Sequence, residues 1–133
     1  MRESDKAEVW AASHLSPEAA LAQSVACSGE ALTALVSGEP VCIFGVGIYS
    51  LACPVGVPWM LGTNALGCLQ MRLARQSKRI IDAWLLRFES LENYVDARQV
   101  RSIKYLRWLG FEIEEPQPWG REGLPFHKFH KRR

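Results

Sequence analysis

Four cysteines, three histidines and one basic, aromatic-bearing helix are the parts of this 133-residue chain whose types and spacing could do chemistry unaided. Cys27, Cys42, Cys53 and Cys68 stand 15, 11 and 15 residues apart, with no Cys-x-x-Cys pair and no histidine close by. That spacing does not suit zinc, so reduced thiols and no metal are expected. His14 stands alone at a helix end, and His127 and His130 belong to a run of cations, so no Ser/His/Asp hydrolytic pattern emerges. Arg98, Arg101, Lys104 and Arg107 share one short segment with Tyr105 and Trp108, a footprint that suits stacked bases. Spacings of three spread those charges over a broad face, and no helix-turn-helix, zinc-finger or RRM signature accompanies them. Direct nucleic-acid recognition is therefore not the reading taken, and Trp108 and Trp119 are expected to anchor a protein partner.

The elements that must position such groups are constrained by composition. Hydrophobic residues make up 48% and charged residues 23%, which excludes disorder and low-complexity chains and supports one domain with a core. Apolar stretches are broken well before the roughly 18 residues a bilayer crossing needs, and the first thirty residues lack a signal-peptide pattern. A soluble, unexported domain spanning 1–133 with a basic tail from about 128 is expected. Charge is uneven: residues 1–63 hold 2 basic and 6 acidic side chains, residues 64–133 hold 14 and 8. A basic second half suits phosphate-bearing partners or an acidic protein surface.

Residues 5–14 read as a short helix closed by His14. Ser16-Pro17-Glu18 opens a second, to about 28, with Gly29 as its stop. Ala31–Val36 and Val41–Ile48 form a hairpin across Ser37-Gly38-Glu39-Pro40, and Gly45 and Gly47 mark a bulge or a close approach. Val57–Leu61 is a strand ending at Gly62, after which Thr63 or Asn64 caps a helix. Leu66, Leu69, Leu73, Ile80, Ile81, Trp84, Leu85 and Phe88 recur along that helix at spacings of three and four, with Ser77 filling the polar gap. A strand over 92–97, a helix over 99–109 ended by Gly110, a strand over 111–115, a loop over 116–123 and a strand over 124–129 follow. The order predicts an α/β or α+β fold, a mixed sheet flanked by helices.

The segment LENYVDARQVRSIKYLRWLGF, residues 91–111, resembles the strand, helix and Gly-Phe turn of the GCN5-related N-acetyltransferase (GNAT) fold. Ser102-Ile103 and Leu109-Gly110-Phe111 match its small-then-apolar pair and Leu-Gly-Phe end. With PWMLGT (58–63) and WLGFEIEEPQPWGREGLPF, the chain is similar to a bacteriophage acyltransferase-like branch that includes small internal virion proteins of short-tailed phages. The resemblance covers roughly residues 2–129. It implies that the first edge strand of the fold is missing.

It also implies a site. A splayed strand pair would receive the pantetheine arm of acetyl-CoA, and backbone N–H groups at a helix start would hold its pyrophosphate. The corresponding loop, Leu61-Gly62-Thr63-Asn64-Ala65-Leu66-Gly67, departs from the family's glycine pattern, although Gly62, Thr63 and Asn64 can still present N–H groups. Gln99 stands where an Asn usually contacts the arm, with Arg101 beyond it toward the outer part of the cofactor. The usual Tyr acid falls at Leu106, and Tyr105 is one position away, about 100° around the helix. Glu92 or Asp96 would serve as general base for an amine, with helix capping the simpler role for Asp96. The resemblance to internal virion proteins, together with these departures, implies a virion-associated or assembly role with acyl transfer weakened or lost, in the host cytoplasm or the particle. Other phage virion proteins, a host protein or a second copy would be the partners. The alternatives are an active acetyl-CoA-dependent N-acetyltransferase and a docking module using the basic helix 98–109.

Overall fold

The computed structural model describes residues 1–48, 52, 54–63 and 70–133. The chain runs α1 (Glu3–Ser13), α2 (Pro17–Ala26), β1 (Ser28–Val36), β2 (Glu39–Ile48), β3 (Val55–Gly62), α3 (Gln70–Arg87), β4 (Ser90–Asp96), α4 (Val100–Trp108), β5 (Glu112–Ile113), β6 (Gln117–Trp119) and β7 (Leu124–Arg132). The expected α/β class holds.

Local chemistry explains most boundaries. His14 takes a left-handed φ of 57° and its N–H closes onto the Trp10 carbonyl, ending α1. Ser16 caps α2 through its side chain, which accepts from the Ala19 N–H, and Pro17 occupies the first helical position. Gly29 does not stop α2, because Cys27 is the C-cap and the chain is already in β1 at Ser28. Gly29 is instead the extra residue of a bulge, since Ser28 faces Gly47 while Glu30 faces Val46. Ser37 and Gly38 turn the β1–β2 hairpin, both with positive φ, as a two-residue turn matched to strand twist requires.

One sheet holds all seven strands, in the order β1-β2-β3-β4-β7-β5, with β6 also on β7. Every neighbouring pair is antiparallel except β3 and β4. The expected basic tail is not a tail: residues 128–132 are the second half of β7, zipped to β4 from Ser90↔Arg132 to Asp96↔Phe126. The expected loop over 116–123 also contains β6, and its turn is shaped by Gly120 and Gly123 at positive φ.

Packed between the sheet and its flanking helices α3 and α4, Val46, Trp84, Phe88, Leu91, Val95 and Phe129 form the heart of the core. Burying an aromatic or leucine side chain of this kind contributes roughly 1.5–3 kcal/mol. Leu66 and Leu69 of the predicted apolar stripe fall outside the described residues, and Ile81, Trp84, Leu85 and Phe88 are buried as its period requires. On the other face, the β6–β7 turn docks against the end of α1. The N–H groups of Arg121 and Glu122 donate to the Ala12 and Ala11 carbonyls, and His14 pairs with Glu122.

Gly45 is a place of close approach, as its position in an apolar strand suggests. A Cβ there would lie 2.5 Å from the Glu30 carbonyl oxygen and 2.9 Å from the Trp59 ring, whereas one at Gly38 would meet nothing within 4 Å. Gly45→Ala should cost about 2–3 kcal/mol by overpacking against backbone. Gly38→Ala should cost only about 1 kcal/mol of left-handed strain. Urea unfolding of the two variants beside the parent checks the difference.

Candidate functional site

Parallel β3 and β4 are in register at only two positions, Val55↔Ser90 and Gly56↔Leu91. Gly56 permits this junction: a Cβ there would sit 2.8 Å from Val46 and 2.9 Å from Leu91. Beyond it the strands part, because β3 stays paired with β2 as far as Gly62 and β4 with β7 as far as Asp96. One side chain bridges the gap, Asn93 Nδ2 donating to the Pro58 carbonyl at 2.7 Å. Pro58 has no N–H to contribute to a ladder, which suits a strand edge that leaves its neighbour.

A cavity of about 350 Å³ occupies this opening and is lined from both faces of the sheet. Ser77 and Trp84 of α3, with Tyr105 and Leu106 of α4, lie on one side. Glu8 of α1, Gln23 of α2, and Tyr94 and Trp119 contribute on the other. A strand alternates its side chains between faces, so β3 and β4 present groups to both halves.

On the α1 side the polar groups form a chain. Arg2 binds Asp5 through Nε and Nη2, both at 2.9 Å, and the buried Asp5 also accepts the Gly62 N–H at 2.9 Å. Gln99 Nε2 donates to Asp5 and to the Ser4 carbonyl, each at 3.3 Å. One turn on from Asp5, half-buried Glu8 accepts the Asp96 N–H at 2.8 Å through Oε2. No donor among the described residues reaches its Oε1. Burial, above all, with the nearby Asp5 and Asp96 adding, raises the Glu8 carboxyl from 4.5 to about 7 despite the Asp96 N–H and Arg2. A cavity-lining carboxyl raised toward neutrality is suited to exchange a proton with a ligand.

On the α3–α4 side Tyr105 Oη and Ser77 Oγ are hydrogen-bonded at 2.5 Å, and burial, above all, pushes the phenol pKa up. Nearby, the buried Trp84 Nε1 has no partner among the described residues. Leaving a buried donor unpaired costs about 1–3 kcal/mol, so it is a donor available to an entering carbonyl.

The expected site residues divide accordingly. Tyr105 does not face away from the cavity as its offset from Leu106 suggests: both residues line it. Leu61 also lines it. The N–H groups of Gly62 and Thr63 are already committed, to Asp5 and to the Val41 carbonyl. Asn64 and Gly67 lie outside the described residues. Gln99 is buried beside the cavity with its amide turned to α1, while Arg101 is exposed and does not line it. Glu92 pairs with Lys128 at 3.7 Å and does not line the cavity either. Asp96, buried, closes a turn by accepting from the N–H and guanidinium of Arg98. Burial raises its pKa, but the bonds from Arg98 outweigh that and hold it low. Asp96 thus shapes the approach to α4, whose N-cap is Gln99.

The basic helix is also altered. Arg98 precedes α4 and is spent on Asp96, Tyr105 points inward, and Trp108 lies under Lys78 Nζ at 3.9 Å. Trp119 is no exposed anchor, being stacked on Tyr94 with ring centroids 4.3 Å apart. Sequence reasoning misses Glu8 altogether. The one signal is an acidic residue four positions before Ala12 on a helix otherwise poor in apolar pattern, and nothing local ties it to a strand end 88 residues away.

No protein-family model and no curated protein matches the sequence. Solved structures do. The chain is similar to a ribosomal-protein-alanine N-acetyltransferase from Brucella melitensis, at 20% identity and TM-score 0.63, over 77% of this chain and 68% of that one. An aminoglycoside acetyltransferase in complex with coenzyme A matches at 15% identity and TM-score 0.60, over 77% and 65%. A spermidine N-acetyltransferase from Vibrio cholerae matches at 7% and 0.62, over 77% and 64%. The chain therefore spans about two thirds of each neighbour's length and has the GNAT acetyltransferase fold.

Because Glu8 is held up at about 7, its neutral form is the one folding favours. Below pH 4.5 it is protonated in both states. Between 4.5 and 7 the unfolded chain releases the proton first, so stability falls as pH rises, and above 7 the whole cost stands. Glu8→Gln should gain about 1–3 kcal/mol at pH 8 and almost nothing at pH 4.5. Urea midpoints at the two pH values check this.

Proposed function

We propose that the protein is an acetyl-CoA-dependent N-acyltransferase that works across the opening between β3 and β4. The observation that carries this reading is the cavity reached from both faces, with Glu8 on one side and Tyr105 on the other. When bound, acetyl-CoA supplies the acyl group as an activated thioester. The residues of the α3–α4 half suit its arm: Trp84 Nε1 is an unspent donor for an amide carbonyl, and the aliphatic stem would lie along Ile80, Ile81 and Leu106.

Glu8 Oε1 is the proton acceptor for an amine entering from the α1 side. Its pKa near 7 lets it be ionised at neutral pH and still hold a proton once taken. Tyr105 holds a proton at Oη on the far side, kept there by burial and aimed through Ser77. Asp5 and Arg2 position α1, and with it Glu8, by tying the helix start to Gly62.

One observation favours a second reading, in which acyl transfer is weakened; the role in a phage particle or its assembly that goes with this reading comes from the sequence resemblance alone. Of the expected pyrophosphate donors, the Gly62 and Thr63 N–H groups are bonded within the protein, and Asn64 lies outside the described residues. In that reading the partners are virion or host proteins, and the chain resides in the host cytoplasm and then the particle.

Acetyl-CoA at millimolar concentration should raise the melting temperature, because a ligand that binds only the folded state stabilises it. Glu8→Gln should keep that shift and lose about 10²–10⁴-fold in turnover with an amine acceptor. Tyr105→Phe should keep the shift and lose less. No shift in the parent protein, together with its recovery in purified particles, would establish the second reading instead.

A further inference from the structure

We infer that the acceptor is a small amine bearing one positive charge and a flat apolar body, seated on Tyr94 and Trp119 with its ammonium against Glu8. This rests on the acyl-transfer reading for the identity of the site, but its own support comes from charge, shape and room.

Among the described residues, only Arg2, Asp5 and Glu8 bring charge to the cavity wall. Arg2 and Asp5 cancel through two bonds of 2.9 Å, and Asp5 is further occupied by the Gly62 N–H. Glu8 is left as the one carboxylate with an oxygen to spare. An acceptor with three or more ammonium groups would strand the rest without counter-charge against apolar walls. A single ammonium is matched.

Flat apolar surface lines the same cavity as that carboxylate. Tyr94 and Trp119 stack at 4.3 Å and 10°, and Trp119 leans on Phe126 at 5.1 Å, so the indole is held in place before any ligand arrives. Trp59 adds a third ring to the lining, its Nε1 already donating to Ser28. Tyr94 and Trp119 spend one face each on the other, and the ring surface they leave to the cavity favours an aromatic body and a nearby cation.

Room is limited. The cavity of about 350 Å³ must serve both the acceptor and the acyl-donor arm. Its α1 wall is pinned by the β6–β7 turn, where a Cβ on Gly120 would come within 2.7 Å of Ala12. A trisaccharide-sized acceptor beside an arm would have to extend out of that volume.

Calorimetry at pH 8, without acetyl-CoA, tests this on the intact protein. It would compare 2-phenylethylamine, its uncharged counterpart 2-phenylethanol, spermidine and kanamycin. 2-Phenylethylamine should bind at least about tenfold tighter than each of the other three. Glu8→Gln should abolish its advantage over the alcohol, and Trp119→Leu should weaken both aromatic ligands alike. Should Trp119→Leu not fold, the four-ligand ranking on the parent protein still decides. Equal or tighter binding of spermidine or kanamycin, or no binding of 2-phenylethylamine, overturns the inference. If 2-phenylethylamine binds through Glu8 while acetyl-CoA produces no thermal shift, the amine pocket stands and the acyl-transfer reading falls.

Discussion

The parting of two parallel strands after two residues of pairing is the constraint on which the rest of the molecule depends. A sheet gains by completing its ladders, and exposed N–H and C=O groups inside a domain are costly. Here β3 and β4 are each satisfied on their outer sides, by β2 and β7, so their inner edges can diverge without unravelling the sheet. Gly56 lets Val46, Phe88 and Leu91 close around the point of divergence, and Asn93 spans the gap beyond it. The divergence makes a cavity that passes through the sheet, and that passage puts a carboxylate and a phenol from opposite layers on one space.

The N-terminal helix is the second determinant. Asp5 is buried, carries Arg2, and takes the N–H at the very end of β3, so α1 is fixed at the mouth of the opening by charge-assisted bonds. That attachment has two consequences for chemistry. It brings Glu8 onto the Asp96 N–H at the divergent end of β4, where burial tunes its acidity. It also consumes a backbone donor that the sequence marks out for a phosphate group. One carboxylate thus places Glu8 at the cavity while taking up a backbone N–H at the end of β3.

Much of this is legible in the chain itself, because the informative signals are local. Ser16-Pro17 opens a helix, Ser37-Gly38 turns a hairpin, and the three-and-four spacing through Ile81, Trp84, Leu85 and Phe88 marks the core face of α3. The Leu109-Gly110-Phe111 turn and its family resemblance lead to the right fold, and Tyr105 stands out although its direction does not. The features that stay hidden depend on distant partners. Glu8 acquires its character from burial beside the end of β4, Asp96 is engaged by Arg98, and Gly62 loses its N–H to Asp5. The cationic segment reads as a solvated tail because Lys128, Lys131 and Arg132 are hydrophilic. In place, their alternation puts Phe126 and Phe129 into the core on opposite faces, while Lys131 Nζ reaches the Leu109 carbonyl.

That last strand has a bearing on how the molecule comes into being. β7 lies between β4 and β5, carries β6 as well, and the residue after it still bonds back across the sheet, with the Arg133 N–H on the Glu89 carbonyl. A strand synthesised after all its neighbours therefore sits inside the sheet, one strand in from its edge. Until it emerges from the ribosome, β4 presents an unpaired edge and the layer beneath α4 lacks Phe129. Such long-range closure slows folding and leaves sticky intermediates during synthesis. Residues 124–132 thus supply the pairing partner of β4, β5 and β6 together.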